Sequence, residues 1–78
     1  MSRLLLLGPA REAAGVRSAD FDGNTVADVV ANAVAHFGAP FAEIVAHSKL
    51  WVNGDAAPFD QVVGPSDEIA VVPPVSGG

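Results

Sequence analysis

Cysteine is absent from the 78 residues. That excludes disulfides, thiolate metal sites and a cysteine nucleophile. Basic side chains are few: four, against nine carboxylates, for a formal net charge of −5. Contact with nucleic acid needs a basic patch to neutralise phosphates, so no nucleic-acid partner is expected. Net charge alone makes a basic protein surface the better match, with charge steering encounter more than setting affinity. No apolar run approaches the ~20 residues of a membrane span. "RLLLL" near the start is too short for a signal-peptide core, and no small-residue cleavage site follows it. A soluble, cytoplasmic protein is the expectation.

What is present is an apolar composition. Half of the residues are apolar and 17% are charged, which favours a folded globule over disorder. A chain this short forms one domain with a thin core, burying about 60–65% of the surface its unfolded form exposes. It leaves no room for a catalytic cleft with its own supporting shell. A carrier, a binding module or a subunit is expected rather than a self-sufficient enzyme.

Arg3 to Leu7 is a continuous apolar run of strand length, which suits a central strand covered on both faces. Gly8-Pro9 stops it, and "PAREAAG" predicts a short helix closed by Gly15. Val16 to Gly23 alternates as an edge strand that pairs antiparallel with the first. The best-defined element follows Thr25: Val26, Val29, Val30, Ala33, Val34 and Phe37 fall at helical spacing on one face. Thr25 and Asp28 form a capping-box-like start, Gly38 ends the helix, and Pro40 lies just beyond. Pro40 to Ser48 predicts a second short helix with Phe41, Ile44 and Val45 inward.

"KLWVNGDAAPF" then reads as a hairpin turning at Asn53-Gly54. Leu50 and Val52 share one face and Trp51 points to the other. Glu68 to Val72 is the last strand, with Ile69 and Val71 on one face and Ala70 and Val72 on the other. The first and last strands are the most apolar, so they are expected side by side and parallel, with the long helix in the crossover. The predicted class is α+β, a mixed sheet packed on one main helix. This is the β-grasp, or ubiquitin-like, layout. Residues 1–72 make the globular domain and residues 73–78 an extended tail.

The tail, "PPVSGG", joins two opposed properties. Pro73 and Pro74 stiffen the chain toward extended geometry. Gly77 and Gly78 carry no Cβ and can thread a narrow channel close to another backbone. A carboxylate with no side chain beside it is an unhindered acyl group for adenylation. The β-grasp order with a Gly-Gly ending resembles the small sulfur carriers of the MoaD/ThiS type. "GPSDEIAVVPPVSGG", "GPAREAAG" with Arg11, Glu12 and Gly15, and the "VNG" hairpin are similar to the small-subunit (MoaD) branch of molybdopterin synthase.

The resemblance implies that Gly78 is adenylated by an E1-like adenylyltransferase/sulfurtransferase using Mg-ATP and converted to a thiocarboxylate. The tail, through Pro73, Pro74, Val75, Ser76 and Gly77, then enters the large synthase subunit. Sulfur passes there to form the molybdopterin dithiolene of the molybdenum cofactor. The chain is then a sulfur-donor co-substrate in a hetero-oligomer. It binds no cofactor itself, because ATP belongs to the activating enzyme. Arg11 is carried over from the family's Arg-Glu helix as a partner contact.

Three further residues are candidates for partner binding. Trp51 is either packed under a loop or an exposed anchor, Trp being enriched at hot spots. With Ala70, Val72 and Phe59 it is expected to form an apolar patch beside the tail root. His36 and His47 match no metal-ligand spacing, so no metal site is expected. Two alternatives stay open: a thiocarboxylate carrier for thiamine or cysteine biosynthesis, and a ubiquitin-like protein modifier.

Overall fold

A computed structural model of the protein describes residues 1–74. The expectations for Val75, Ser76, Gly77 and Gly78 therefore lie outside the described residues.

The chain runs β1 (Ser2–Leu6), α1 (Pro9–Ala14), β2 (Ser18–Phe21), α2 (Val26–Phe37), α3 (Ala39–Ala46), β3 (Lys49–Val52), β4 (Asp55–Ala56) and β5 (Glu68–Val72). Among the described residues the sheet has five strands in the order β2-β1-β5-β3-β4. β1 and β5 are parallel neighbours at its centre, in the register Leu4↔Ile69 and Leu6↔Val71. β2 flanks β1 antiparallel and β3 flanks β5 antiparallel. This is the expected β-grasp order, with α2 as the main helix and the two short helices α1 and α3 completing the covering layer.

One expectation is corrected. β1 is central but is not covered on both faces. Ser2, Leu4 and Leu6 are buried, Leu5 is half-buried, and Leu7 beyond the strand is 48% exposed. Ala10, Phe41 and Val45 from α1 and α3 join the α2 face, Leu4, Leu6, Leu50, Val52, Ile69 and Val71 in one core cluster. All three helices thus lie on one side of the sheet, and a chain of this length has no second layer to lay over the other.

α2 shows why packing outweighs propensity here. Valine costs a few tenths of a kcal/mol per residue against alanine in a helix, and burying a valine side chain returns roughly 1.5 kcal/mol or more. Val26, Val29, Val30 and Ala33 are all buried, so the sheet, not the local sequence, holds this helix. Its start is fully tied down. Thr25 Oγ accepts from the Asp28 N–H at 3.2 Å. The Val26 and Ala27 N–H groups donate to the carbonyls of Gln61 and Phe59 at 2.9 and 2.8 Å. The 59–61 connection thereby satisfies donors that a helix otherwise leaves open. At its far end, Phe37 meets Phe21 and Phe41 with ring centroids 5.6 and 5.0 Å apart, joining α2 to β2 and α3.

Asn53 and Gly54 turn the hairpin with φ of 50° and 88°, as the sequence predicts. The turn is then bolted to the start of β5. Asn53 Nδ2 donates to Asp67 Oδ1 at 2.9 Å, the Glu68 N–H donates to Asn53 Oδ1 at 3.0 Å, and the Gly64 N–H donates to Asp67 Oδ2 at 2.7 Å.

Two outcomes follow from these contacts. A Cβ on Gly23 would sit 2.6 Å from the Val29 backbone nitrogen. Gly23→Ala is therefore expected to cost about 1–3 kcal/mol, the range for forced overpacking, in a urea titration. An unchanged midpoint would show that the α2 start is not pinned there.

The Asn53 amide, and after it the Gly64 N–H, hold the Asp67 carboxyl below its ordinary pKa of 3.8, against a smaller opposing effect of burial. A pKa depressed by folding gives stability that is present above 3.8 and lost as pH falls through the folded value. Asp67→Asn should be less stable than the parent at neutral pH, and thermal unfolding near pH 3 should show a narrower gap. A gap independent of pH would mean that the carboxylate charge is not what holds the turn.

Candidate functional site

The strand registers set what the uncovered sheet face presents. Leu5 pairs with Ser18 on one side and Ala70 on the other, and Trp51 lies across from both Ala70 and Ala56. One row therefore runs Ser18, Leu5, Ala70, Trp51, Ala56 across the whole sheet. Toward the end where β5 stops, Val72 pairs with Lys49, and Leu7 follows Leu6 out of β1. The result is an apolar strip on the face that no helix covers, ending where the chain leaves the sheet.

The tail begins at that end. Pro73 is half-buried and Pro74 exposed. Both line a hollow of about 310 Å³ with Pro9 of α1, Glu43 and Ile44 of α3, and His47 just beyond that helix. The tail root thus lies at the seam between the open face and the helical layer. β1 and β5 run parallel, so the exit of β1 and the start of α1 sit at the same end. This brings Arg11 near the tail root: Arg11, Arg17, Leu7 and Gly8 share a neighbouring hollow of about 440 Å³.

The structure therefore gathers Val72, Pro73 and Pro74 with Trp51 on the adjoining strand, and places Arg11 at the same end. Phe59 is half-exposed and lines a groove with Lys49, Leu50, Ala56, Ala57 and Pro58; Trp51 is not in that lining, but its cross-strand partner Ala56 is. The Phe59 backbone carbonyl caps α2, which draws the connection toward the helical layer. Sequence reasoning missed Leu5, Leu7 and Arg17. The leucines were hidden by the expectation of a doubly covered strand, and alternation about the buried Leu4 and Leu6 is the signal that finds them. Nothing in the sequence places Arg17 beside Arg11, because they lie on separate elements.

Trp51 is half-buried, and its indole Nε1 is shielded from solvent with no hydrogen-bond partner among the described residues. Leaving such a donor unpaired costs about 1–3 kcal/mol. Among the described residues no group of His, Asp or Glu is arranged to hold a metal ion, and no helix is long and apolar enough to cross a membrane.

The ThiS family profile matches residues 4–78. SAMP1, the small archaeal modifier protein 1 of Haloferax volcanii, is 31% identical with a TM-score of 0.83, over 99% of this chain and 98% of that one. Two others are similar in fold. CysO in the BexX/CysO complex of Amycolatopsis orientalis has a TM-score of 0.84 at 18% identity, covering 100% of both chains. A molybdopterin converting factor subunit 1 of Pyrococcus furiosus has a TM-score of 0.77 at 22% identity, over 95% of this chain and 97% of that one.

Trp51→Phe keeps most of the ring and removes the unpaired donor. Its stability is expected within about 1 kcal/mol of the parent by circular dichroism in urea, whereas Trp51→Ala should cost more. A loss above about 2 kcal/mol for the phenylalanine variant would mean that the N–H is bonded after all.

Proposed function

Because the chain belongs to the ThiS family of ubiquitin-like sulfur carriers, we propose that it is the sulfur-carrying small subunit of a molybdopterin synthase, with Gly78 as its reactive terminus. The observation that carries this reading is the junction of β5 with the tail: a central strand, buried on its Ile69–Val71 face, runs straight into Pro73-Pro74 beside an uncovered apolar face. The rigid sheet fixes where the tail starts, the prolines direct it outward, and the face beside it gives a partner something to grip. Positioning of this kind is what lets a tethered group react as if at high local concentration.

In the proposed cycle, a Gly78 carboxylate oxygen attacks the α-phosphate of ATP on the activating enzyme. Pyrophosphate leaves and an acyl adenylate forms. A sulfur nucleophile then displaces AMP and leaves a thiocarboxylate. In the large synthase subunit that sulfur attacks a carbon of the pterin precursor and displaces an oxygen leaving group, giving a thioester; water then cleaves the acyl C–S bond, so the sulfur stays on the pterin and the chain ends as a carboxylate again. This chain holds, orients and delivers the acyl group, and the activating enzyme and the large subunit do the rest. The molybdopterin branch is favoured by the "PPVSGG" ending and the Arg11-Glu12 helix; the fold is shared with CysO and a molybdopterin converting factor subunit alike. Val75, Ser76 and Gly77 would line the partner's channel, and Arg11, Trp51 and Val72 its docking surface. Phe59 would join them only for a partner that wraps round the β4 edge.

The 31% identity to a small archaeal modifier protein favours a second reading, in which activated Gly78 forms an isopeptide bond with a target lysine. Both readings use the same adenylate, and they part at the acceptor.

Intact mass after incubation with an E1-like enzyme, Mg-ATP and a sulfide source separates them. A gain of one oxygen-for-sulfur exchange at Gly78 is the expected outcome. Adducts to other proteins with no sulfur gain would favour the modifier. One residue appended after Gly78 should abolish either product, and an extended chain that still gains sulfur would sink Gly78 as the reactive group.

A further inference from the structure

The net charge of −5 hides a polar distribution of charge. β1 and β5 both begin at one end of the sheet and both finish at the other. At the beginning end lie Asp67 and Glu68 of the β5 start, Asp55 opposite Val52, and Asp22 and Asp28 around a hollow with Met1 and Ser2. The cations on that half are already engaged: Arg3 with Asp20 at 3.7 Å, and the Met1 amino group with Asp22 at 4.0 Å.

At the tail end the balance reverses. Arg11 and Arg17 share the hollow below Leu7 and Gly8. Lys49 stands opposite Val72, the last strand residue before the prolines. All three are exposed, and among the described residues none has a carboxylate within ion-pair distance. The carboxylates of this half are Glu12, next to Arg11 on α1, and Glu43 of α3, which lines the hollow under Pro73 and Pro74 on the helical side, so the open-face side of the exit is left to Arg17 and Lys49. Three of the four cationic side chains thus frame the exit of the tail and the end of the apolar strip, on a protein that is otherwise acidic.

Resting on the carrier reading, we propose that the tail-exit end docks on an acidic protein surface: a ring of partner carboxylates around the mouth that receives the tail, met by Arg17 and Lys49 on either side of the Leu5–Leu7–Val72 strip. The charge complementarity runs opposite to what net charge alone implies. A partner that is basic overall would attract the wrong end. Carboxylates at the mouth attract the tail end and repel the Asp22–Asp55–Asp67 end, so the molecule arrives already oriented. Opposed patches of this kind act on the association rate and lose their effect in salt, while the apolar strip governs how long the complex lasts.

The test is stopped-flow association of the whole chain with a purified E1-like activating enzyme, with ATP–pyrophosphate exchange as a parallel readout. Arg17→Glu/Lys49→Glu should associate about tenfold more slowly than the parent at about 50 mM salt. The two should converge within about twofold at 500 mM, with little change in dissociation rate or in exchange at saturating protein. Arg17→Gln/Lys49→Gln should fall between. Asp55→Lys, an equal change per site at the other end, should change the rate less than about twofold. Glutamate variants that associate as fast as the parent, or faster, overturn the acidic mouth while leaving the carrier reading intact. A parent chain that neither binds nor supports exchange overturns the carrier reading and this inference with it.

Discussion

Leu4, Leu6, Ile69 and Val71 meet where the first strand runs beside the last, and every other feature of the molecule is arranged around that contact. All four are essentially inaccessible to solvent. A parallel pair cannot be closed by a tight turn and needs a long crossover. Here nearly the whole remaining chain is that crossover, so the pairing forms only if three helices, a hairpin and the 57–67 connection all find their places. The reward is that the β5 strand leading to the tail is held between two neighbours. Ile69, Ala70 and Val71 are paired on both sides, and Val72 on one.

The same economy explains the open face. Seventy-eight residues supply enough helix for one side of a five-stranded sheet and no more. Leu5, Ala70, Trp51 and Val72 are left in a continuous row with Lys49 and Arg17 at its rim. In a larger protein this would be an unfinished core. On the proposed reading, it is the surface that partners grip, already formed and needing no rearrangement. The indole N–H of Trp51 belongs to the same pattern, because it meets no acceptor among the described residues.

Stability in this frame comes from a few fixed joints rather than a large core. The Asn53–Asp67–Gly64 bonds tie the hairpin to β5, the 59–61 carbonyls close the start of α2, and Gly23 lets the chain pass within contact of the Val29 backbone. The Asn53–Asp67 bond and the 59–61 carbonyls tie segments distant in sequence, while the Gly64–Asp67 and Gly23–Val29 contacts are local. All of them lie away from Pro73 and Pro74.

Much of this was legible in the residues. Helical spacing fixed the inward face of α2, Asn53-Gly54 fixed the turn, and strand parity put Trp51 and Val72 opposite Leu50 and Val71. Those patterns are local: a period of 3.6 or 2 decides which way a side chain points whatever lies beyond. What only the tertiary structure decided concerns distant segments. The run of leucines in β1 reads the same whether one face is covered or two, and only the count of layers shows that Leu5 and Leu7 face outward. Phe59 was expected beside Trp51; the structure puts its ring in a groove with Ala56, the cross-strand partner of Trp51, while its backbone carbonyl caps the start of α2. Composition gave the sign of the net charge and nothing of its placement. Arg11, Arg17 and Lys49 converge on the tail because β1 and β5 are parallel, a pairing that the sequence suggests but only the closed sheet enforces.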